Sequence, residues 1–453
     1  MGEFEDMWND DDMDEGEVVI ANDEDDEEMD QELQDDDAEV QEDNTEVYLP
    51  GGEMGEDEEL VADQSTYEML HSMNMEWPCL SFDILQDKLG SGRINFPLSS
   101  YIVAGSQADE FSKNKVYVMK MSSLHKTKHD EDEDGSDDED DEDEDPVLEY
   151  KLISHEGGVN RIRVMPHPEV HIVATMAETG KVHIFDVTQQ VASFDTPGLI
   201  PPSDPKPIHT ILNHGNCEGY GIDWSPTQIG SLLTGDGKGR IYHTKKTETT
   251  FVTDKQAFSG HTSSIEDIQW SPSQGSVFAT CSADQTVKIW DLRTKTKPQL
   301  SVHAHDTDVN VISWNKNVDY LLASGSDSGA FSIWDLRTWP TSKGKTPDTA
   351  AAFHWHRGPI TSIDWHPIES SVLAVSGADD QLTLWDLALE RDAEEEAIMG
   401  KTSDGNPIEV PPQLLFIHQG QKHIKEIHWH RQIPGVILST AYDGFNVFKT
   451  INS

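Results

Sequence analysis

Only three cysteines occur in 453 residues, Cys79, Cys217 and Cys281. Their odd number and wide separation argue against a disulfide framework or a cysteine zinc site, and leave them as small buried hydrophobes of a reducing compartment. No apolar run approaches the roughly 20 residues needed to span a bilayer. The N-terminal ten residues hold four acids and no apolar core, so neither a secretory signal nor a transit peptide is expected there. Gly2 lacks the downstream Ser or Thr that myristoylation requires. These absences predict a soluble, intracellular chain. The sequence also shows no phosphate-cradling glycine loop, no metal-ligand spacing and no nucleophile motif. An enzyme is therefore not expected, nor any cofactor or metal. The pairs His354/His356 and His428/His430 alternate along apparent strands, so their side chains split between two faces or fall on loops.

Positive charge is scarce as well: 32 Lys and Arg stand against 86 Asp and Glu, a net charge of -54. The deficit is uneven. Residues 1–64 carry 30 acids and no Lys or Arg, and residues 130–145 carry 14 acids in 16 positions. Without these two tracts the remaining chain has a net charge of about -10, ordinary for a folded domain. The tracts hold too little apolar surface to offset the backbone entropy of ordering, roughly 1–2 kcal/mol per residue, and their like charges repel. A disordered acidic tail over 1–64 and a disordered acidic loop over 125–146 are expected. Their field repels phosphates and anionic lipid, so direct nucleic-acid or membrane binding through them is disfavoured, and basic proteins are the natural partners.

What is present in abundance is repetition. Three segments, ending at Arg293, Arg337 and Ala388, place a His (His261, His305, His356) nine residues before an inner Trp (Trp270, Trp314, Trp365) and 29 before a Trp-Asp pair (Trp290, Trp334, Trp385). Weaker copies open at His155, with Met165 and Phe185-Asp186, and at His214, with Trp224 and Tyr242. A C-terminal copy supplies Trp429 and Phe448, and the alternating runs "FPLSSYIVAGS" and "KVYVMKM" give the most degenerate unit. Each unit consists of short β-branched and aromatic runs divided by turn residues. Seven such units of about 40–45 residues predict an all-β, seven-bladed β-propeller over 77–453. "CLSFDIL" (Cys79 to Leu85) is the expected donor of a strand that completes the last blade and removes its open edge.

The repeat histidines His214, His261, His305 and His356, with Asp236, Asp284 and Asp379 six positions before the terminal aromatic, are expected to form a structural hydrogen-bond network rather than catalytic pairs. The pattern lapses where Ser328 and Thr179 replace the Asp. In the last unit neither the His nor the Asp is in register.

These motifs resemble WD-repeat proteins. "STYEMLHSMNMEWPCLSFDIL" and "LISHEGGVNRIRVMP" resemble the histone-binding retinoblastoma-associated proteins and chromatin-assembly-factor small subunits. From "EVYLPG" onward, with "VNVISW", "WDLALERD" and "QLLFIHQG", the chain is similar to the glutamate-rich WD-repeat family. That resemblance implies a nuclear and nucleolar factor for 60S assembly that chaperones one basic large-subunit ribosomal protein within pre-ribosomal particles, with the cytoplasm as a further place of action. Histone binding and chromatin assembly are the alternative it implies. In the histone-binding relatives a client helix lies between an N-terminal helix and a loop ending in two prolines. The matching helix here is 65–76, with Tyr67, Leu70, Met73 and Asn74. The matching loop is the insertion 388–412, with Asp392, Glu394, Glu395, Glu396, Pro411 and Pro412. It lengthens its unit to 63 residues between Trp385 and Phe448, against 44 between Trp290 and Trp334. A third alternative comes from the two "WDLR" motifs. Arg293 and Arg337 there resemble the adaptor contacts of substrate receptors for cullin-type ubiquitin ligases.

Overall fold

A computed structural model describes residues 63–127, 145–339, 347–390 and 410–451. The expected acidic tail, the acidic loop and most of the 388–412 insertion, with Asp392, Glu394, Glu395 and Glu396, lie outside the described residues.

The alternating runs become strands, and the strands form seven four-stranded antiparallel sheets. Six of these blades are consecutive in the chain. Their innermost strands are Cys79–Ile84, Val159–Val164, Ile222–Trp224, Ile265–Trp270, Val309–Trp314 and Ile360–Trp365. The seventh combines three C-terminal strands, beginning with Glu426–Trp429, with one strand from the other end of the chain. Innermost strands of successive blades touch in order, and Glu426–Trp429 meets Cys79–Ile84, so the ring closes. The fold is a seven-bladed WD-repeat β-propeller.

Apolar residues fill the spaces between blades. Between the first and second blades, Tyr101, Val103 and Val118 pack against Ile162, Val173 and Phe185. The repeat tryptophans Trp290, Trp365 and Trp385 are fully buried. Removing a side chain of that size costs about 3–5 kcal/mol.

Two expectations fail at the closure. Residues 65–76 do not form a helix: a single 3-10 turn, Gln64–Thr66, leads into the strand Tyr67–Asn74. Leu70 and Met73 suggested helical spacing, but Tyr67, Met69 and Met73 are the buried positions, the period of two that a strand requires. The strand Gly444–Thr450 offers a free edge, and Tyr67–Asn74 pairs along it from Tyr67↔Thr450 to Asn74↔Gly444. This strand completes the last blade. Cys79–Ile84 is instead the innermost strand of the first blade, because Cys79, Ser81 and Phe82 are buried against neighbours on both sides. One helix, Thr188–Asp195, was not foreseen; it sits in the second blade's last connection, and Val191 and Phe194 pack on the first blade.

Candidate functional site

The closing strand is held through Tyr67. Its hydroxyl lies 2.8 Å from His418 Nδ1, and its ring meets Phe416 edge-on at 5.3 Å. His418 stacks on Phe448 at 4.1 Å and contacts Asn446 through Nε2 at 3.2 Å. Burial holds the imidazole neutral, down to about 4, and pushes the Tyr67 hydroxyl up. The free edge of the same strand is met by His125–Thr127. The Thr127 N–H donates to the Glu68 carbonyl at 3.1 Å, the Leu70 N–H donates to Thr127 Oγ1 at 3.0 Å, and the His125 carbonyl lies 2.9 Å from His71 Nε2. Partial burial disfavours the Glu68 carboxylate, yet Lys449 at 2.6 Å and Lys126 at 3.2 Å hold its pKa below the ordinary value.

The four residues assigned to a docking helix therefore divide. Tyr67 and Met73 belong to the core, while Leu70 is half-buried and Asn74 exposed. Pro411 and Pro412 are half-buried at the base of the insertion. They are fixed by the Leu414 N–H to the Pro411 carbonyl at 3.0 Å and by Gln413 Nε2 to the Leu389 carbonyl at 2.9 Å. The strand that follows, Leu414–His418, carries the Phe416 and His418 that touch Tyr67. The base of the insertion and the N-terminal strand thus share one flank of the ring.

The repeat histidines meet their partners. His214 lies 2.9 Å from Asp236 and 2.8 Å from Thr234. His261 lies 2.8 Å from Asp284 and 2.7 Å from Thr280, which also accepts from Trp290 Nε1 at 2.8 Å. His356 lies 2.9 Å from Asp379 and 3.0 Å from Thr383. Gly377 is obligatory there, since a Cβ would stand 2.6 Å from His356 Nδ1. His305, lacking the Asp, bonds Ser324 at 2.7 Å. In the seventh blade Gln421 takes the histidine's place and bonds Ser439. Each chain of bonds satisfies buried polar groups and ties a loop to the blade beneath it.

Arg293 and Arg337 occupy equivalent ends of two consecutive blades. Their guanidinium groups pair with Asp291 and Asp335, and Arg337 also lies over the Tyr320 ring at 3.5 Å. Both side chains remain largely exposed, at 79% and 63%.

Sequence reading missed a set of charges on the innermost strands. Glu426 is buried and accepts from Arg161 Nη1 at 2.9 Å, Arg163 Nη2 at 2.6 Å, Ser81 Oγ at 2.6 Å and the Phe82 N–H at 2.8 Å. Burial opposes its charge, but Arg163, His428 and Arg161 hold it far below the ordinary carboxylate value. His428 faces Asp364 and Glu426, each at 3.7 Å. Burial would neutralise His428; Asp364 and Glu426 instead raise it to about 9. Inner-strand carboxylates also stitch neighbouring blades. Val164 N–H donates to Asp83 at 2.8 Å, Trp270 N–H to Asp223 at 2.8 Å and Trp429 N–H to Asp364 at 3.1 Å. Charged residues two apart on inner strands, Arg161/Arg163 and Glu426/His428, were the available signal.

Comparison with known proteins adds the lineage. Residues 253–291, 296–335 and 348–386 match the family model "WD domain, G-beta repeat". Residues 57–125 match the family model for the histone-binding protein RBBP4 or the equivalent component of the CAF1 complex. The chain is 49% identical over its full length to the ribosome assembly protein rrb1 of Schizosaccharomyces pombe, of which it covers 93%. The chain belongs to this family of glutamate-rich WD-repeat proteins. Over 88% of its length it is 48% identical to the glutamate-rich WD repeat-containing protein 1 of Dictyostelium discoideum, covering 83% of that protein. Over 90% it is 46% identical to the Arabidopsis thaliana protein HEAT STRESS TOLERANT DWD 1, covering 92% of it. The WD40 propeller domain of Doa1 superposes with a TM-score of 0.53 over 85% of this chain and 96% of its own, at 13% identity, a likeness of fold alone.

Proposed function

We propose that this chain is a nuclear and nucleolar ribosome-biogenesis factor. It holds one basic large-subunit ribosomal protein and delivers it to pre-60S particles. The observation that carries this reading is the full-length similarity to a ribosome assembly protein, joined to an acidic excess suited to a basic client. The role is non-catalytic. The acidic tracts give long-range, salt-sensitive capture, and the flank beside Leu70, Asn74, Pro411 and Pro412 gives the specific dock. Depleting the chain is expected to lower free 60S subunits relative to 40S on a sucrose gradient. An unchanged 60S peak contradicts the reading.

A second reading, a histone chaperone, is favoured by the match of residues 57–125 to a histone-binding model. It predicts stoichiometric histones on the purified chain and an unaltered 60S level on depletion.

A further inference from the structure

Six of the seven outer edges of the ring are short or covered. The outermost strands of the second to sixth blades, His209–Ile211, Phe251–Thr253, Leu300–His303, Ala351–His354 and Leu414–His418, run three to five residues. The edge of Tyr67–Asn74 is met by His125–Thr127. The first blade differs. Its outermost strand, Val147–Ser154, is eight residues long and pairs on one side only, with Lys115–Leu124.

Hydrogen bonding at its end fixes which groups face outward. The His155 N–H donates inward to the Asn114 carbonyl at 3.0 Å, whereas the Ser154 N–H turns outward to Asp204 at 2.9 Å. In an antiparallel pair the direction alternates, so the N–H and C=O groups of Leu148, Tyr150 and Leu152 also point outward. Among the described residues, Asp204 is the single hydrogen-bond partner along this edge. Tyr150 is 51% exposed and Leu152 39%, and the Tyr150 ring leans on the buried Tyr117 at 6.0 Å. Leu148, Tyr150 and Leu152 share one face of the strand. A long, unpaired edge with an apolar row is a template for another strand, and proteins ordinarily shorten or cover such edges.

Charge selects the occupant. The run of 14 acids in residues 130–145 ends two residues before Val147. Asp145, Glu149 and Glu76 are exposed, and the charge of Glu76 helps to raise the Tyr117 hydroxyl beside the patch.

We propose that Val147–Ser154 accepts an extended basic segment as a fifth strand of the first blade, its alternate apolar side chains extending the Leu148–Tyr150–Leu152 row and its Lys or Arg residues meeting the acidic run. Main-chain bonds would supply affinity and the apolar row register, while the acids would speed the encounter. The source of the segment as a ribosomal client rests on the function proposed above. The edge geometry does not.

The full chain tests this against two synthetic probes, an alternating lysine–valine dodecapeptide and a dodecalysine. The alternating peptide is expected to slow hydrogen exchange over 147–154 at least about tenfold at saturation, and the dodecalysine to leave it unchanged. Leu152→Pro removes one outward N–H without breaking a bond of the blade. That variant is expected to weaken the alternating peptide at least about tenfold and leave dodecalysine binding intact. Tyr150→Thr with Leu152→Thr keeps strand propensity and should weaken it similarly, so the test survives if the proline variant misfolds. Equal binding of the alternating peptide to all variants, or no protection of 147–154, overturns the proposal. Slow exchange there in the free chain overturns it too, because the chain itself or a second copy then covers the edge. Loss of 60S effects with retained peptide binding removes the ribosomal client and leaves the strand addition standing.

Discussion

Arg163 Nη2 lies 2.6 Å from Glu426, joining the second blade to the seventh across the innermost strand of the first. Glu426 also receives Arg161, Ser81 Oγ and the Phe82 N–H. One buried carboxylate therefore ties three blades where the ring closes. Neutralising it while keeping its shape leaves two guanidinium groups poorly compensated, which costs about 3–5 kcal/mol for a buried pair. Glu426→Gln is expected to lower the denaturant midpoint without changing the slope of the transition. An unchanged midpoint would show that the cluster contributes nothing to closure.

The same cluster sets a pH dependence. His428 is raised to about 9, above the ordinary 6.5. Its contribution is fully present below about 6.5 and is lost as the pH rises through about 9. The wild-type chain should lose stability between those values, and His428→Gln should flatten that slope. Buried His155, His243, His305 and His418, each held down near 4, act oppositely. Their contribution is complete above about 6.5 and declines as the pH falls towards about 4. Melting temperatures from pH 4 to 9.5 for both proteins check this.

Closure by the N-terminal strand gives a graded prediction at Tyr67. Tyr67→Phe loses the bond to His418 and should cost about 1 kcal/mol. Tyr67→Ala also removes the ring packed on Phe416 and Phe448 and should cost about 3–5 kcal/mol. Hydrogen exchange over Tyr67–Asn74 should rise in that order. Exchange in the two variants as slow as in the wild type would mean that the strand is held elsewhere.

Much of this fold is legible in the sequence, because the His, inner Trp and Trp-Asp positions repeat at fixed spacing. The terminal blade is not. "YEMLHSMN" places apolar residues at 67, 69, 70 and 73, which fit two periods, and only the free edge of Gly444–Thr450 decides for a strand. That choice moved Tyr67 and Met73 from the client side to the core. The Glu426 cluster escaped notice because partners 263 and 265 residues apart meet only once the ring closes.

Changes at accessible and core positions should separate by mechanism. Leu70→Glu and Asn74→Arg are expected to weaken client retention several-fold with stability altered by under about 1 kcal/mol. Met73→Ala should instead act through stability, by about 2–5 kcal/mol. Client pull-down alongside thermal melts distinguishes them; equal destabilisation by all three would remove Leu70 and Asn74 from the dock.

Arg293 and Arg337 each pair with an Asp two residues earlier on the surface. Exposed pairs are worth about 0–1 kcal/mol, so Arg293→Ala with Arg337→Ala should leave folding and client retention unchanged. Abolished binding of a ubiquitin-ligase adaptor by this variant would establish the ligase-receptor role; unchanged adaptor recovery would exclude it.

The central claim is a dedicated basic client. The most direct measurement is quantitative mass spectrometry of the tagged chain purified after nuclease treatment at about 150 mM and about 400 mM salt, across which screening strips contacts made through the acidic tracts alone. The account predicts that one large-subunit ribosomal protein remains at one-to-one stoichiometry at the higher salt. Persistence of histones in its place, or release of every basic protein together, would contradict it.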